Sequence, residues 1–216
     1  MLEPARLVAA LPELAQGAAT TLALTACSAL LSWVVGGVVV CALLSGSTAS
    51  RWTARVYVSF MRGTPALVQL FLVFFALPLL GVHLPPFLAA SLTLGLNSGA
   101  YVAEIMRGAL LSIPAGQREA ADAIGMRSVA LWRRVLLPQA VRIALPSLIN
   151  EMTLLLKTTP LASVVAVTEL TFAGQIVIAR TFEPTEVLLA VAVGYLVASQ
   201  ALVQTARAIE RRTAIG

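Results

Sequence analysis

GAATTLALTACSALLSWVVGGVVVCALL, from Gly17 to Leu44, carries no charge and stays apolar for longer than the ~20 residues that take a helix across a bilayer. The charge-free interval around it runs from residue 14 to residue 50. Residues 63 to 103 form a second such interval, long enough for two spans, and residues 187 to 206 a third, long enough for one. Four membrane-spanning helices follow from these gaps alone. The 216 residues are 59% hydrophobic and 12% charged, against roughly 25% charged in a soluble domain. With a mean hydropathy of +0.90, this excludes a soluble enzyme. Two cysteines, no glycine repeat and no low-complexity tract exclude a disulfide scaffold, a collagen and a disordered chain.

Upstream of the quoted stretch, Glu3, Arg6 and Glu13 with two prolines predict a short interfacial lead-in. A signal peptide would pair a basic start with an apolar core of about 7 to 15 residues, whereas here hydrophobicity runs on past Cys27. Cys27 and Cys41 read as core residues without a redox role. Downstream comes a polar link with Arg51, Arg55 and Arg62. The second interval divides at Pro78, Gly81, Pro85 and Pro86 into a span over about 65–80 and another over about 87–107, joined by a short loop holding His83, which is assigned no ligand role. The only long polar segment, about 108–142, is expected on one side of the membrane as a loop with helical content.

Between Arg142 and Arg180 a straight helix would be about 56 Å long, more than a bilayer needs. It must tilt strongly or break, and Pro160 beside Thr158 and Thr159 is the natural break, because proline lacks a backbone donor and clashes with the preceding turn. The last span, about 187–206, is followed by Arg207, Arg211 and Arg212. The reading is a single all-α integral membrane domain over 1–216, with about five transmembrane helices and a broken or strongly tilted fourth.

Fourteen of the 15 basic residues are arginine, and they choose an orientation. Placing the first link, the long polar loop and the C-terminal end on one side gathers twelve arginines there and leaves Arg6 and Arg180 opposite. The positive-inside bias then puts the N-terminus outside and the C-terminus in the cytoplasm of a cell inner-membrane protein. The formal charge of +5 is met by this bias, and no basic patch interleaved with aromatics suggests nucleic acid.

The cytoplasmic loop reads REAADAIGMRSVALWRRVLLPQA from Arg118 to Ala140. It resembles the EAA loop of ABC importer permeases: EAA, three residues, Gly, nine residues, Ile, one residue, Leu-Pro. Glu119, Ala120, Ala121, Gly125, Leu137 and Pro138 fall on that pattern, with Val135 in place of Ile. FMRGTPALVQLFLVFFALP from Phe60, GLNSGAYVAEIMRGAL from Gly95 and KTTPLASVVAVTEL from Lys157 resemble the polar amino acid subfamily, which commonly carries Ser where Pro160 stands. The resemblance implies a type I importer permease that pairs with a second permease subunit, the same or a related chain. It also implies a cytoplasmic ATPase dimer as partner and delivery by an external amino-acid-binding protein.

Physical chemistry supports the loop independently. Ala120 and Ala121 place small side chains beside an acid so that a partner surface approaches closely, Gly125 lets the chain turn, and Pro138 marks the return to the membrane. The plain alternative is a solvated amphipathic helix joining two spans. One lysine and no Gly-rich loop ending in Gly-Lys-Ser/Thr mean that this subunit holds no ATP phosphates itself, and no cofactor or metal is implied. An intramembrane enzyme would need a nucleophile or metal cluster at depth, and the single His and two separated Cys supply none.

Intramembrane polar groups mark the substrate candidates. Asn97, Tyr101 and Glu104, spaced i, i+4, i+7, share one helical face. Glu104 either faces protein or water, as the cost of burying an acid demands, or pairs with Arg107 at i+3. Gly95 and Gly99 suggest close helix packing. Around the break, Lys157, Thr158 and Thr159 offer hydroxyls and backbone groups to a cavity, or else form a kink with Lys157 snorkelling. Glu169 completes the set. The excess of acids over the single lysine leans toward a polar, even cationic, amino acid, and another small solute is the alternative cargo.

Overall fold

The computed structural model describes the backbone of residues 4–213 and the side chains of residues 9–208, and every regular element among them is helical. Helix α1 (Pro4–Leu43) takes in the quoted stretch up to Leu43 and, without a break at Pro12, residues 4–16 of the segment expected as an interfacial lead-in. At 40 residues it is about 60 Å long and so must tilt or project beyond the bilayer. Glu3 of the lead-in lies outside the described residues, as do the side chains of Arg6, Arg211 and Arg212, which entered the orientation count. Cys27 and Cys41 are exposed, which corrects their assignment to the core: they sit on the outer face of α1 with Leu30, Val34 and Val38.

The expected polar link is instead a 16-residue helix, α2 (Thr48–Gly63), capped by Ser47, whose hydroxyl accepts from the Ser50 N–H. Its arginines interrupt the apolar run but not the helical period. Ala54 and Val58 are buried, and Trp52, Val56 and Phe60 form an exposed stripe. At Thr64-Pro65 the chain bends by 106° into α3 (Ala66–Phe71), which continues through a π-turn (Leu72–Ala76) and a 3-10 turn (Leu77–Leu80). Gly81 closes this limb in the left-handed region, at φ +83°.

Helix α4 (Pro86–Ser112) is the centre of the molecule and packs along α1. The approach is close because glycines face branched side chains. A Cβ at Gly36 would lie 2.6 Å from Val102, and one at Gly95 would lie 2.8 Å from Leu31. Beyond it come α5 (Gly116–Ala123), α6 (Ser128–Leu131) with a π-turn (Trp132–Leu136), and α7 (Leu137–Thr158). The polar loop is therefore shorter than the expected 108–142, since α4 runs on to Ser112 and α7 has begun by Leu137.

The fourth span leaves the α-helical pattern at Pro160, as the sequence predicts, but its bend comes a few residues later. A 3-10 segment, Thr159–Val165, continues α7, and the 53° bend lies between Ser128–Val165 and α8 (Leu170–Thr181), with the left-handed Ala166 at the turn. Pro160 has no N–H for the Leu156 carbonyl, and the Thr159 hydroxyl donates to it instead, at 2.8 Å. Helix α9 (Pro184–Thr213) closes the fold. At the end of α8 opposite the loop, Arg180 pairs with Glu13 of α1.

Ala9–Leu43 and Pro184–Ala208 are each long and apolar enough to cross a membrane, and the two bent pairs raise the number to four if each is one span. Helix α4, at 27 residues, has the length but not the apolarity. Enclosed by its neighbours, it carries Ser91, Asn97, Ser98 and Glu104 where a lipid-facing helix would be apolar.

Candidate functional site

The corner between α2 and α3 is built on a missing donor. In a continuous helix the Met61 carbonyl would accept from residue 65, but Pro65 has no N–H. Two side-chain amides replace it: Gln69 Nε2 donates to Met61 O at 3.0 Å and Asn97 Nδ2 at 2.9 Å. The amides are themselves joined, Asn97 Nδ2 donating to Gln69 Oε1 at 3.0 Å, and Gln69 also donates to Thr64 Oγ1 at 2.8 Å. Tyr57 Oη donates to the Leu96 carbonyl at 2.5 Å, fixing α2 against the middle of α4. Asn97, expected as a substrate ligand, thus spends its amide hydrogens holding the corner, and its Oδ1 has no partner among the described residues.

One turn further along α4, Tyr101 and Glu104 meet the same corner. Arg62 stacks over the Tyr101 ring at 5.2 Å and approaches Glu104 Oε2 at 3.9 Å. Arg107 grips Glu104 with Nε at 3.0 Å and Nη2 at 2.7 Å, so the ion-pair alternative is the one realised. The sequence reading missed Arg62, because its partners lie some 40 residues away. The cluster carries two cations and one anion, and its side chains stay partly exposed.

At the break, Glu169 is fully buried and acts as the N-cap of α8. Its carboxylate accepts from Thr171 N and Phe172 N, both at 2.8 Å, and from Tyr195 Oη at 2.7 Å. Both carboxylate oxygens are engaged within the protein, so Glu169, expected among the substrate candidates, stands in this structure as a helix cap. The Thr158 and Thr159 hydroxyls donate to Leu155 O and Leu156 O, each at 2.8 Å. Lys157 differs: it is exposed and makes no interaction among the described residues. Glu151, six residues before it, is buried against α4 and accepts from Ser98 Oγ at 2.8 Å.

In the polar loop, α5 ends in a paired turn. Gly125 N donates to Asp122 O and Met126 N to Ala121 O, both at 2.9 Å, with Gly125 at φ +69°. This is the Schellman arrangement, and it explains the glycine. Glu119 and Ala120 are exposed, but Ala121 is buried and packs with Met126 in the core that holds Leu43 and Ala103. Only one of the two small residues therefore faces outward, and Ala121 anchors the loop to the helices. Pro138 follows directly on the π-turn Trp132–Leu136, whose i to i−5 bond from Leu137 N to Trp132 O widens the helix where proline lacks a donor.

With a helix-only fold, a broken span and this turn in place, residues 34–215 match the family model of the binding-protein-dependent transport system inner membrane component. The chain belongs to that family. The permease is 40% identical over 208 residues to the glutamine transport system permease protein GlnP of Escherichia coli, covering 95% of each chain. It is 41% identical over 172 residues to the L-cystine transport system permease protein TcyB of Bacillus subtilis, covering 80% of this chain and 74% of the relative. In three dimensions it superposes on a chain of the crystal structure of an amino acid ABC transporter with histidines, at a TM-score of 0.91 and 32% identity, over 98% and 99% of the two chains. A chain of the MetNI methionine ABC transporter in an inward-facing form shares the fold at a TM-score of 0.79 and 22% identity, over 99% of each chain. The permease therefore has the type I ABC importer fold, and its relatives are amino acid transport subunits rather than catalytic ones.

Proposed function

We propose that the chain is the membrane subunit of an ATP-driven importer that takes up a polar amino acid by alternating access. The near full-length likeness to permeases of amino acid transport systems carries this reading. ATP would be hydrolysed by a cytoplasmic ATPase dimer seated on the exposed rim of the loop, formed by Glu119, Ala120 and the Gly125 turn. A second permease, the same or a related chain, would complete the pore, and an external amino-acid-binding protein would deliver the cargo.

The site residues refine the cargo. Glu104 lies between two arginines and Glu169 is enclosed, so the acids that favoured a cationic amino acid are already neutralised or spent. A zwitterion with a neutral polar side chain suits the cluster better. Its carboxylate is assigned to Lys157, the exposed and unpartnered cation at the break. Asn97, through its free Oδ1, and Tyr101 remain the substrate candidates on α4. Lys157→Gln is then expected to raise the KM for uptake about tenfold or more, since a charge-assisted bond is lost, while assembly with the ATPase and basal ATP hydrolysis stay unchanged. An unaltered KM would return Lys157 to a snorkelling anchor.

Topology has its own test. In a background with Cys27 and Cys41 replaced by alanine, His83→Cys is expected to react with an impermeant thiol reagent added outside, and Ser128→Cys only after the membrane is opened. Both positions are exposed, so accessibility reports sidedness. The reverse pattern would overturn the cytoplasmic placement of the loop, and the N-terminus-out orientation with it.

A further inference from the structure

Ile143, Ser147, Asn150, Leu154 and Lys157 recur along α7 at alternating intervals of four and three residues, and all five are exposed. They form one stripe along the helix. Its other sides pack against α4, α1 and α9, burying Ala144, Glu151 and Leu155. Ser147, Asn150 and Lys157 make no hydrogen bond or ion pair among the described residues.

Lipid does not fit this stripe. Asn150 lies about 12 Å along the helix from Arg142, the last arginine on the loop side, and so is well inside a hydrocarbon core of roughly 30 Å. An amide left facing acyl chains at that depth is strongly disfavoured, because nothing there replaces its hydrogen bonds to water. The exposed face of α1 shows what lipid does accept: from Leu22 to Cys41 it carries no hydroxyl, amide or charged side chain. The α7 stripe is therefore covered by protein or faces water.

Spacing decides for protein. Alternating intervals of three and four residues mark a helix that pairs with another along a seam, and Ile143 and Leu154 supply the apolar packing that such a seam needs. Two copies of the chain direct their loops to the same side, so the twofold axis relating them runs along the membrane normal and their α7 helices are parallel. A residue on that axis meets its own copy. Asn150 suits such a meeting, since one amide donates where the other accepts, and a single asparagine in a seam fixes its register. Lys157 would meet a like charge, so the helices part at this end of α7, beside the 3-10 segment that begins at Thr159.

We propose that two copies of this chain pair through the α7 stripe, Asn150 against Asn150, with the two Lys157 ammoniums flanking the space where the helices part. This pairing rests on the reading that a second permease completes the pore, and it commits that subunit to the same chain.

The test is oxidative cross-linking of the full chain, co-expressed with its ATPase in membranes, in a background with Cys27→Ala and Cys41→Ala. Asn150→Cys and Leu154→Cys are expected to yield disulfide-linked dimers, because residues on the axis of a parallel helix pair bring their Cα atoms within the ~4.4–6.8 Å that a disulfide spans. Val38→Cys, on the exposed face of α1, is expected to stay monomeric. Two differently tagged copies are also expected to purify together with the ATPase before any cysteine is introduced. No cross-link at Asn150→Cys or Leu154→Cys, while the tagged copies still purify together, would overturn the proposal by moving the pairing to another face. Modification of Asn150→Cys by an impermeant thiol reagent in place of cross-linking would do so by making the stripe the wall of a water path. An ATPase complex holding a different second permease would overturn the pairing alone, and one holding a single permease would take the paired pore with it. Uptake is not the readout, so loss of the amino acid assignment would leave the cross-link standing.

Discussion

Gly125→Val is expected to abolish uptake while the permease still folds and inserts, and Gly125→Asn is expected to retain most of it. Gly125 sits at φ +69°, and a Cβ there would meet nothing within 4 Å, so the penalty is backbone strain and not a clash. A β-branched residue pays about 1–2 kcal/mol in the left-handed region, whereas asparagine visits it readily. That strain is small beside the 5–15 kcal/mol typical of a folded domain, so the bundle survives. It is large for a single turn, whose two bonds, Gly125 N to Asp122 O and Met126 N to Ala121 O, set how α5 ends and where Glu119 points. The check is uptake in proteoliposomes beside recovery of the ATPase in pull-downs. Normal transport by Gly125→Val would separate the turn from coupling.

Glu169→Leu is expected to destabilise the permease by about 3 kcal/mol or more. It strands two backbone N–H groups at the start of α8 and the Tyr195 hydroxyl, and a buried polar group left without a partner costs about 1–3 kcal/mol. Glu169→Gln keeps one acceptor oxygen and should cost less. Thermal unfolding in detergent reads both, and Tyr195→Phe in the Glu169→Leu background should add little, because the two residues share one network. A residue that only gripped substrate would instead leave the melting temperature unchanged and depress uptake alone.

What the sequence disclosed and what it hid divide along physical lines. Charge-free length marked α1 and α9, because lipid excludes charge whatever the tertiary contacts. Pro160 marked the end of α7, since a missing N–H acts locally, but not the bend beyond Val165, where Ala166 turns left-handed. Gly125 was legible as a turn for the same reason. Helix α2 was hidden, because its arginines lower the apolarity on which span detection rests while leaving the 3.6-residue period intact. Arg62, Gln69 and Tyr195 were hidden because each acts through a partner from another helix, such as Tyr101, Asn97 or Glu169. Glu169 itself was legible as a buried acid but not as a cap: its Tyr195 donor lies 26 residues away. Cys27 and Cys41 were misplaced because an apolar helix facing lipid is apolar all round, which erases the difference between inside and outside.

Uptake by proteoliposomes holding the permease with its ATPase, and supplied with binding protein, tests the central claim most directly. With ATP enclosed on the loop side, radiolabelled glutamine or another neutral polar amino acid should accumulate against its gradient. Unlabelled neutral polar amino acids should compete more strongly than arginine or lysine, and without ATP nothing should accumulate. Accumulation that does not require ATP, or no transport of any amino acid by an assembled and ATP-hydrolysing complex, would contradict the assignment.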